Sequence, residues 1–390
     1  MNDQSDKPQR VNVRDYGQTP FTFRLWHGMT LDAWLRVMRG KWHLISVRRY
    51  PLALTITLVS TANLPLKLIS QALYGRKLAK VMIDPDPVFV LGHWRSGTTW
   101  LHQLMMTDPS HAAPAANECF MPETFLAARG LLSKLLAWIL PESRPMDNVG
   151  LAPDSAEEDE HGIALSGAIS PLHSLMFPNA PLDFPIRISD MTEKDAAFWR
   201  KKWLAFLRRV QFIHPDKRLV LKSPGHTLRT DEILSHFPNA KFVHIVRDPY
   251  KIFMSSRKTQ KAMQSTCALQ DHLPPERVAI AAAIQDFLTF QEHFEAARPN
   301  IPADQIVTIH YEDLRADTLG VIEKVYGDLN LGDFDLVRPS IEELIGTPKP
   351  YQNNQYELDA ATQKLVEDNY QSYFKRYGYL PMAQRPKSEK

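Results

Sequence analysis

Four short, mainly apolar runs separated by long helical segments constrain the fold of this 390-residue chain more than any other feature. The runs lie at 88–91, 219–222, 241–246 and 306–309, and each is short enough to be a buried strand. The segments between them predict helices at 99–106, 124–140, 192–213, 227–237, 276–297 and 313–329. Apolar strands that alternate with helices are typical of a parallel sheet covered on both faces. The sequence therefore predicts an α/β fold with a central parallel sheet flanked by helices.

The first 80 residues do not share this alternation. Residues 1–20 are polar where an export signal needs an apolar core, so no such signal is predicted. Residues 50–66 are uncharged and have basic flanks, but they fall short of the roughly 20 apolar residues of a membrane span. A buried lid, a helix lying on anionic lipid and a transmembrane helix all remain open. We predict three regions, namely a helical N-terminal extension (1–80), an α/β domain (81–380) and a loose tail (381–390).

The charge balance and the cysteines exclude several classes of protein. The chain has 46 Lys and Arg against 44 Asp and Glu, so no nucleic-acid partner is expected and any anion site must be a local cluster of cations. Cys119 and Cys267 are far apart and have no metal-ligand spacing. They predict neither a disulfide scaffold nor a metal site, and they are compatible with a reducing cytoplasm.

A glycine-bounded loop follows the first predicted strand and leads into a helix. It reads GHWRSGTTW over 92–100, so Gly92 and Gly97 fit the first part of the nucleoside-triphosphate loop. Backbone N–H groups and the positive end of the helix dipole converge in such a loop and suit an anion. A kinase or ATPase needs Lys at the next position, which is Thr98 here, whereas Arg95 supplies a cation inside the loop. A turn that merely requires glycines is the alternative.

A second cluster of anion-binding residues follows the third predicted strand. Arg247 stands at the carboxyl end of that strand, where parallel sheets bind ligands, and Ser255 follows about two helical turns later. The two side chains are predicted to hold a phosphate by charge-assisted hydrogen bonds. A pair of Arg247 and Asp248 that caps the helix is the alternative.

Together the two clusters resemble the sulfotransferase family that uses 3′-phosphoadenosine 5′-phosphosulfate (PAPS), over roughly residues 86–330. The resemblance implies a P-loop-type three-layer fold. It also implies that the loop, in its arginine form, binds the 5′-phosphosulfate through Arg95, Ser96, Gly97, Thr98, Thr99 and Trp100. Arg247 and Ser255 match the family's 3′-phosphate pair, and Lys222 matches its strand lysine beside the sulfonate. Two weaker matches are the segment YEDL at 311–314 and Lys349, which lies where relatives have a loop closing over the nucleotide.

The general base is the part of the resemblance that this sequence leaves open. Cytosolic members carry a catalytic histidine two residues after the strand lysine, where this chain has Pro224. The branch with arginine in the loop uses a glutamate shortly after the first helix, which corresponds to Glu118. His226 is the second candidate and His93 is the third.

The resemblance implies an enzyme that moves a sulfuryl group from PAPS to a hydroxyl or amine by in-line transfer. Lys222 would neutralise charge on the bridging oxygen, and no metal is expected. The acceptor is expected to be a small molecule or a lipid, with membrane contact through 50–75 of a cytoplasmic protein as an open possibility. Five aromatic residues would suit a hydrophobic acceptor but are more often core, namely Phe120, Phe125, Trp138, Phe177 and Phe184. The alternatives are an ATP-dependent P-loop kinase and a non-catalytic nucleotide-binding regulatory protein.

A dense acidic run lies at 154–160, ahead of an apolar stretch. Ser155 and Glu158 have the spacing of a capping box, and acidic residues in a first turn suit the helix dipole. Contact with the substrate is the second interpretation, because the resemblance includes acidic runs at this point in bacterial relatives.

Overall fold

The architecture is an α/β fold whose strands closely follow the apolar runs. The computed structural model describes residues 8–11, 22–128, 152–180, 184–346 and 359–385. The strands of this part of the chain are β1 (Gln9–Arg10), β2 (Val88–Leu91), β3 (His111–Ala112), β4 (Arg218–Lys222), β5 (Lys241–Val246), β6 (His272–Leu273) and β7 (Ile306–His310). Of the four predicted strands, two have the predicted bounds and the other two are longer by one residue.

The helices follow in chain order, over the same described ranges. They are α1 (Leu31–Met38), α2 (Tyr50–Leu78), α3 (Thr98–Met105), α4 (Ala116–Phe120), α5 (Asp159–Leu165), α6 (Glu193–Ile213), α7 (Thr230–His236), α8 (Pro249–Cys267), α9 (Glu276–Ala297), α10 (Tyr311–Ala316), α11 (Thr318–Leu329), α12 (Arg338–Gly346), α13 (Ala360–Asn369) and α14 (Gln371–Tyr377).

Most predicted helices are present, and the differences have local causes. The helix predicted at 313–329 is two helices, because Asp317 caps α11 by accepting a hydrogen bond from Gly320 N at 2.9 Å. The helix predicted at 227–237 begins as a 3₁₀ turn at Pro224–Leu228 and continues as α7. Residues 124–128 of the helix predicted at 124–140 form turns rather than a helix, and residues 129–140 lie outside the described residues.

The central sheet is parallel, with strand order β3-β4-β2-β5-β7. Successive residues of β2 face opposite sides, so Phe89 and Leu91 pack with α6 and Val88 and Val90 pack with α3 and α11. The sheet is therefore the middle of three layers, which confirms the predicted central parallel sheet flanked by helices. The carboxyl ends of β2, β4 and β5 lie side by side at one edge, where ligands of such sheets bind.

The N-terminal helices pack on the α/β layers. Trp26, Trp34 and Ile56 are fully buried in one cluster with Leu165 of α5 and Leu269. Residues 22–80 are helical apart from short connections, as predicted, but they share this core with the rest of the chain. The boundary at residue 80 stays a prediction.

The end of the chain differs from the predicted loose tail. Met382 N donates to the Tyr250 hydroxyl at 3.0 Å, and Arg385 Nη1 donates to Asp248 Oδ2 at 2.5 Å. These contacts attach residues 381–385 to the start of α8, because the arginine of the tail meets a carboxylate there. Residues 386–390 lie outside the described part of the chain.

Candidate active site

The glycine-bounded loop between β2 and α3 is tightly packed. Gly92 has φ +148°, and a Cβ there would lie 2.7 Å from the Ile245 carbonyl oxygen. Gly97 has φ +106°, and its Cβ would lie 2.3 Å from the ring of Tyr311. Arg95 adopts φ +72°, a left-handed conformation that is uncommon for a residue with a side chain. Two glycines and one strained arginine therefore shape this loop, as an anion cradle at a helix N-terminus requires.

The loop and the second cluster contact each other directly, although about 150 residues separate them in sequence. Arg95 Nε donates to Ser255 Oγ at 2.8 Å, and Arg247 Nη1 donates to the Arg95 carbonyl oxygen at 3.0 Å. This contact brings together the two anion-binding clusters that the sequence predicts separately. The capping alternative also holds in part, because Asp248 caps α8 by accepting from Tyr250 N at 2.9 Å.

Aromatic residues from distant parts of the chain hold both the side chain and the backbone of Arg247. The guanidinium lies 4.2 Å from the centre of the Tyr311 ring, a cation–π contact. The Tyr373 hydroxyl accepts from Arg247 N at 3.1 Å and donates to its carbonyl oxygen at 3.0 Å. Arg247 Nε is buried and has no hydrogen-bond partner among the described residues. A fixed cation with an unused donor beside the loop suits an anionic ligand.

Lys222 at the end of β4 forms an ion pair with a residue of the acidic run. Its Nζ donates to Glu158 Oε1 at 2.7 Å, and the lysine side chain is 1% exposed whereas that of Glu158 is 17% exposed. Glu158 is the residue before α5, and it lines the same cavity as Arg95 and Thr98. The pair places a carboxylate and an ammonium group together at the carboxyl edge of the sheet.

Asp159 and Glu160, the last two residues of the acidic run, point into the protein. Asp159 accepts from Trp203 Nε1 at 3.2 Å and pairs with His226 Nε2 at 2.8 Å. Burial alone would raise the pKa of Asp159, but the charge of His226 and its hydrogen bonds lower it. Glu160 pairs with Arg229 Nη1 at 2.5 Å and accepts from Ser170 Oγ at 2.6 Å.

The predicted capping box is therefore wrong. Ser155 Oγ accepts from Ala152 N at 3.0 Å, and Glu158 pairs with Lys222 rather than with its own helix end. Tertiary ion pairs are stronger than an exposed cap here, because their partners are buried at the sheet edge.

The structure does not bring Glu118 or His226 to the cavity. Glu118 is buried in α4 and its Oε2 accepts from Ala115 N at 3.1 Å, so its carboxylate caps its own short helix. His226 is fully enclosed beside Phe89 and held by Asp159. Both are absent from the residues that line the cavity, as are Lys222, Arg247 and Ser255. The local reason is that Glu118 is held by the backbone at the start of its own helix and His226 by Asp159.

A cavity of about 360 Å³ opens beside the loop, and both polar and apolar residues line it. The polar lining includes loop residues and the carboxylates of Glu158 and Asp286. The apolar wall comprises Pro171, Leu172, Leu175, Phe184, Ile186, Pro224, Met263 and Ala283. Among the five aromatic residues predicted for a hydrophobic acceptor, Phe184 lines this cavity, Phe125 and Phe177 are core, Phe120 packs on His161, and Trp138 lies outside the described residues. The site can therefore place an apolar molecule next to an anion cradle.

His93 lines the cavity as an uncharged ring. Its Nδ1 lies 2.9 Å from the Trp94 carbonyl oxygen, and its ring packs on Phe287 and Phe290. Burial lowers the pKa of His93 to about 4. The buried Nε2 has no hydrogen-bond partner in the described part of the chain, so it remains available to a ligand.

The segment that joins α12 and α13 cannot be placed in this geometry, because Lys349 and the rest of 347–358 lie outside the described residues. The role of Lys349 stays a prediction.

The functional residue that the sequence did not single out is Glu158. The signal was present in the acidic run, but four adjacent carboxylates at 157–160 do not reveal which one reaches the cavity.

A parallel sheet with a tight anion-binding loop after its central strand defines an α/β nucleotide-binding enzyme of the P-loop type. Residues 87–335 match the profile of the Sulfotransferase family, so the protein belongs to this family. It is therefore a sulfotransferase, and the match favours sulfuryl transfer over the kinase and the regulatory alternatives.

Two mycobacterial proteins are similar over almost the whole chain. Omega-hydroxy-beta-dihydromenaquinone-9 sulfotransferase Stf3 of Mycobacterium bovis is 29% identical over 357 residues, which are 91% of each chain. The protein of the same name from Mycobacterium tuberculosis gives the same values. The N-terminal helices are thus part of the similarity.

Two crystal structures show the same fold. Sulfotransferase STF1 from Mycobacterium tuberculosis has a TM-score of 0.60 at 19% identity, covering 92% of this chain and 96% of that one. Sulfotransferase STF9 from Mycobacterium avium has a TM-score of 0.63 at 16% identity, covering 93% and 94%.

Proposed function

We propose that this sulfotransferase moves the sulfuryl group of PAPS to a hydroxyl group of an apolar, lipidic acceptor. The observation that carries the proposal is the direct contact between the loop and the second cluster, through Arg95, Ser255 and Arg247. A donor with phosphates at both ends of its ribose needs two anion sites close together. A nucleoside triphosphate would instead need the loop lysine that Thr98 replaces.

The residues around the loop fit such a donor. The 5′-phosphosulfate would bind the loop amides together with Arg95, Ser96, Thr98 and Thr99. Arg247 and Ser255 would bind the 3′-phosphate, and the unused donor on Arg247 Nε supports this assignment. Residues of the loop and its helix start are buried or half-buried, so their hydrogen bonds to an anion would be shielded from water.

Transfer needs a cation at the leaving oxygen and a base at the acceptor hydroxyl. Lys222 is proposed to stabilise charge on the bridging oxygen as the bond to sulfur breaks. Glu158 is proposed to take the proton from the acceptor hydroxyl as its oxygen attacks sulfur, in place of Glu118 and His226. The support is that Glu158 lines the cavity and contacts Lys222, whereas the two other candidates are enclosed elsewhere.

The acceptor is proposed to be a lipid or another long apolar alcohol. The apolar wall of the cavity supports this class, and the mycobacterial relative Stf3 is named for a menaquinone-derived acceptor. A cytoplasmic enzyme with such an acceptor would meet it at a membrane surface. Contact through the region 50–75 is therefore part of the proposal.

Donor class is tested by thermal unfolding with adenosine 3′,5′-bisphosphate in the absence of magnesium. At 100 times its Kd the ligand is expected to stabilise the protein by about 2.7 kcal/mol, because it binds only the folded chain. Adenosine 5′-monophosphate should stabilise less, and Arg247→Gln should remove the difference between the two ligands. Stabilisation by magnesium ATP and not by the bisphosphate would contradict the donor assignment.

Acceptor class is tested with PAPS labelled in its sulfur. Label is expected in detergent-dispersed long-chain alcohols and in lipid extracts. Label transferred to water-soluble phenols and never to long-chain alcohols would contradict a lipidic acceptor, while leaving the donor assignment intact.

A further inference from the structure

The long helix α2 distributes its polar and apolar residues differently from an ordinary surface helix. Such a helix buries an apolar stripe and exposes polar residues. In α2 the face packed on the protein includes Ser60, Asn63, Lys67 and Ser70, all of which are buried. The face turned to solvent carries Leu54, Leu58, Leu68, Ile69 and Leu73.

The polar residues of the packed face have specific partners in the protein. Asn63 Nδ2 donates to the carbonyl oxygens of His27 and Met29, both at 2.9 Å. Lys67 Nζ lies 2.6 Å from Asp32 Oδ2 and 2.7 Å from Glu123 Oε2. These contacts fix the rotation of α2, so its apolar face is held outward by buried hydrogen bonds and ion pairs.

The outward leucines form an apolar stripe that is interrupted near its middle by the smaller exposed residues Thr61, Ala62 and Pro65. Leu54, Leu58, Leu68 and Leu73 are each between 57% and 61% exposed. Leu54 and Leu58 lie one turn apart, and Leu68 and Leu73 follow beyond Pro65, and the period of 3.6 residues per turn places all four on one side of the helix. No described residue covers these side chains, and a stripe of this length is a contact surface for a partner.

Basic residues at both ends of α2 indicate the chemistry of that partner. Arg48 is exposed just before the helix, and Arg76, Lys77 and Lys80 are exposed at and after its last turn. Tyr50 is 51% exposed at the first position of the helix. Apolar side chains between basic ends, with an aromatic residue at one end, are typical of a helix that lies on an anionic lipid surface.

We infer that α2 is an interfacial helix, which docks the enzyme on an anionic bilayer with its leucine stripe among the acyl chains. The segment Val47–Leu78 is long and apolar enough to cross a membrane. If α2 crossed the membrane, Lys67 and Asn63 would lose their partners and lie unpaired in hydrocarbon, so a transmembrane orientation is disfavoured. The inference rests on the lipidic acceptor of the proposed function, yet lipid binding can be measured without any transfer.

The apolar wall of the cavity and the packed face of α2 belong to one hydrophobic cluster. Leu172, Leu175 and Met263 line the cavity and pack against the cluster that contains Leu52 and Ile56 of α2. A bilayer that binds α2 would therefore lie close to the apolar wall of the acceptor site. This continuity supports a lipid surface as the partner rather than a protein that docks at an unrelated place.

The test is flotation of the full chain with vesicles of phosphatidylcholine and phosphatidylglycerol in equal parts, without PAPS. The triple variant Leu54→Gln, Leu58→Gln, Leu68→Gln is expected to lower the partition coefficient about a hundredfold, because three exposed leucines no longer transfer apolar surface from water to the acyl chains. Leu336→Gln, at a 76% exposed leucine far along the chain, is the matched control and should bind like the wild type. Arg76→Gln with Lys77→Gln should lower binding to the anionic vesicles about thirtyfold and leave binding to neutral vesicles unchanged.

Three results would overturn the inference. One is a triple variant that floats with vesicles as well as the wild type. Another is a wild-type dimer in solution that the triple variant converts to a monomer, which would make the stripe an interface between copies. The third is a marked fall in Tm for the triple variant, which would mean that part of the same chain covers the stripe. Sulfation of a short soluble alcohol should stay unchanged in the triple variant, so loss of docking and loss of catalysis are separable.

Discussion

At the residue scale, the ion pair between Lys222 and Glu158 places a cation and a possible general base next to each other. Both residues were visible in the sequence, but only the lysine was assigned to catalysis. The carboxylate of Glu158 is the one member of its acidic run among the cavity-lining residues. Asp159 and Glu160 pair with the buried side chains of His226 and Arg229, so their role is to stabilise the fold.

Glu158→Gln is expected to lower kcat by about a hundredfold to ten-thousandfold, the usual contribution of a positioned base. The amide keeps the size of the side chain and cannot accept the proton. Donor binding, measured by the thermal shift with adenosine 3′,5′-bisphosphate, should not weaken. Glu158→Asp should recover part of the activity, because it restores a carboxylate slightly farther from the acceptor.

Two variants separate Glu158 from the candidates that the resemblance suggested. Glu118→Gln and His226→Asn should affect Tm more than kcat, since both residues hold buried hydrogen bonds. The assignment fails if Glu158→Gln keeps at least half of the wild-type kcat, or if Glu118→Gln abolishes transfer without a change in Tm.

At the scale of elements, the strand–loop–helix unit supplies most residues of the proposed donor site. Its sequence signature is short, and its effect depends on a neighbour that is distant in sequence. Tyr311 fills the space that a side chain at Gly97 would need, and the same ring supports Arg247. The YEDL segment is thus a packing partner of both anion-binding clusters.

Gly97→Ala is expected to remove the stabilisation of the protein by adenosine 3′,5′-bisphosphate. The added Cβ would lie 2.3 Å from the ring of Tyr311, and the alanine would have to adopt a positive φ. Gly40→Ala is a matched control, since Gly40 also has a positive φ (+74°) but has nothing within 4 Å of the added Cβ. Gly40→Ala should cost about 1 kcal/mol of stability and leave donor binding intact. Equal effects of the two substitutions on the bisphosphate thermal shift would contradict the packing argument.

At the scale of the whole molecule, the core contains several enclosed histidines. His93, His102, His173 and His244 are buried, and burial lowers the pKa of each to between about 3 and about 4. The unfolded chain binds protons at these residues near pH 6.5, whereas the folded chain does not. Between pH 6.5 and about 4 the unfolded state therefore binds more protons, and stability falls as the pH falls.

Between pH 6.5 and pH 5 the free energy of unfolding is expected to fall by about 2 kcal/mol for each such histidine. Tm should therefore drop steeply over this range. His244→Phe should make the drop smaller, because His244 already packs on the Phe294 ring with centroids 4.2 Å apart. His43→Asn, at an exposed position, should leave the pH dependence unchanged. A Tm that stays constant from pH 7 to pH 5 would show that these histidines are protonated in the folded protein.

The sheet could be predicted from local sequence because a buried parallel strand needs a continuous apolar run. The runs at 88–91 and 241–246 have the bounds of β2 and β5. The loop was predictable for a similar reason, since its glycines and the helix start that follows are visible in the local sequence. Helix breaks were less predictable. The division at Asp317 depends on one capping hydrogen bond that competes with helix propensity.

The sequence by itself determined the parallel sheet, the loop with Arg95, and the positions of Lys222 and Arg247 at strand ends, because these follow from local patterns and from the polarity of parallel strands. Only the tertiary structure decided which carboxylate of the acidic run lines the cavity, beside Asp286 of α9. An antiparallel bridge between Ala115 and Ala156 aligns the acidic run beside β4, so Glu158 meets Lys222 while Glu118 caps its own helix. The outward rotation of α2 was also decided there, because Asn63 and Lys67 find their partners in segments that local sequence patterns do not connect to the helix.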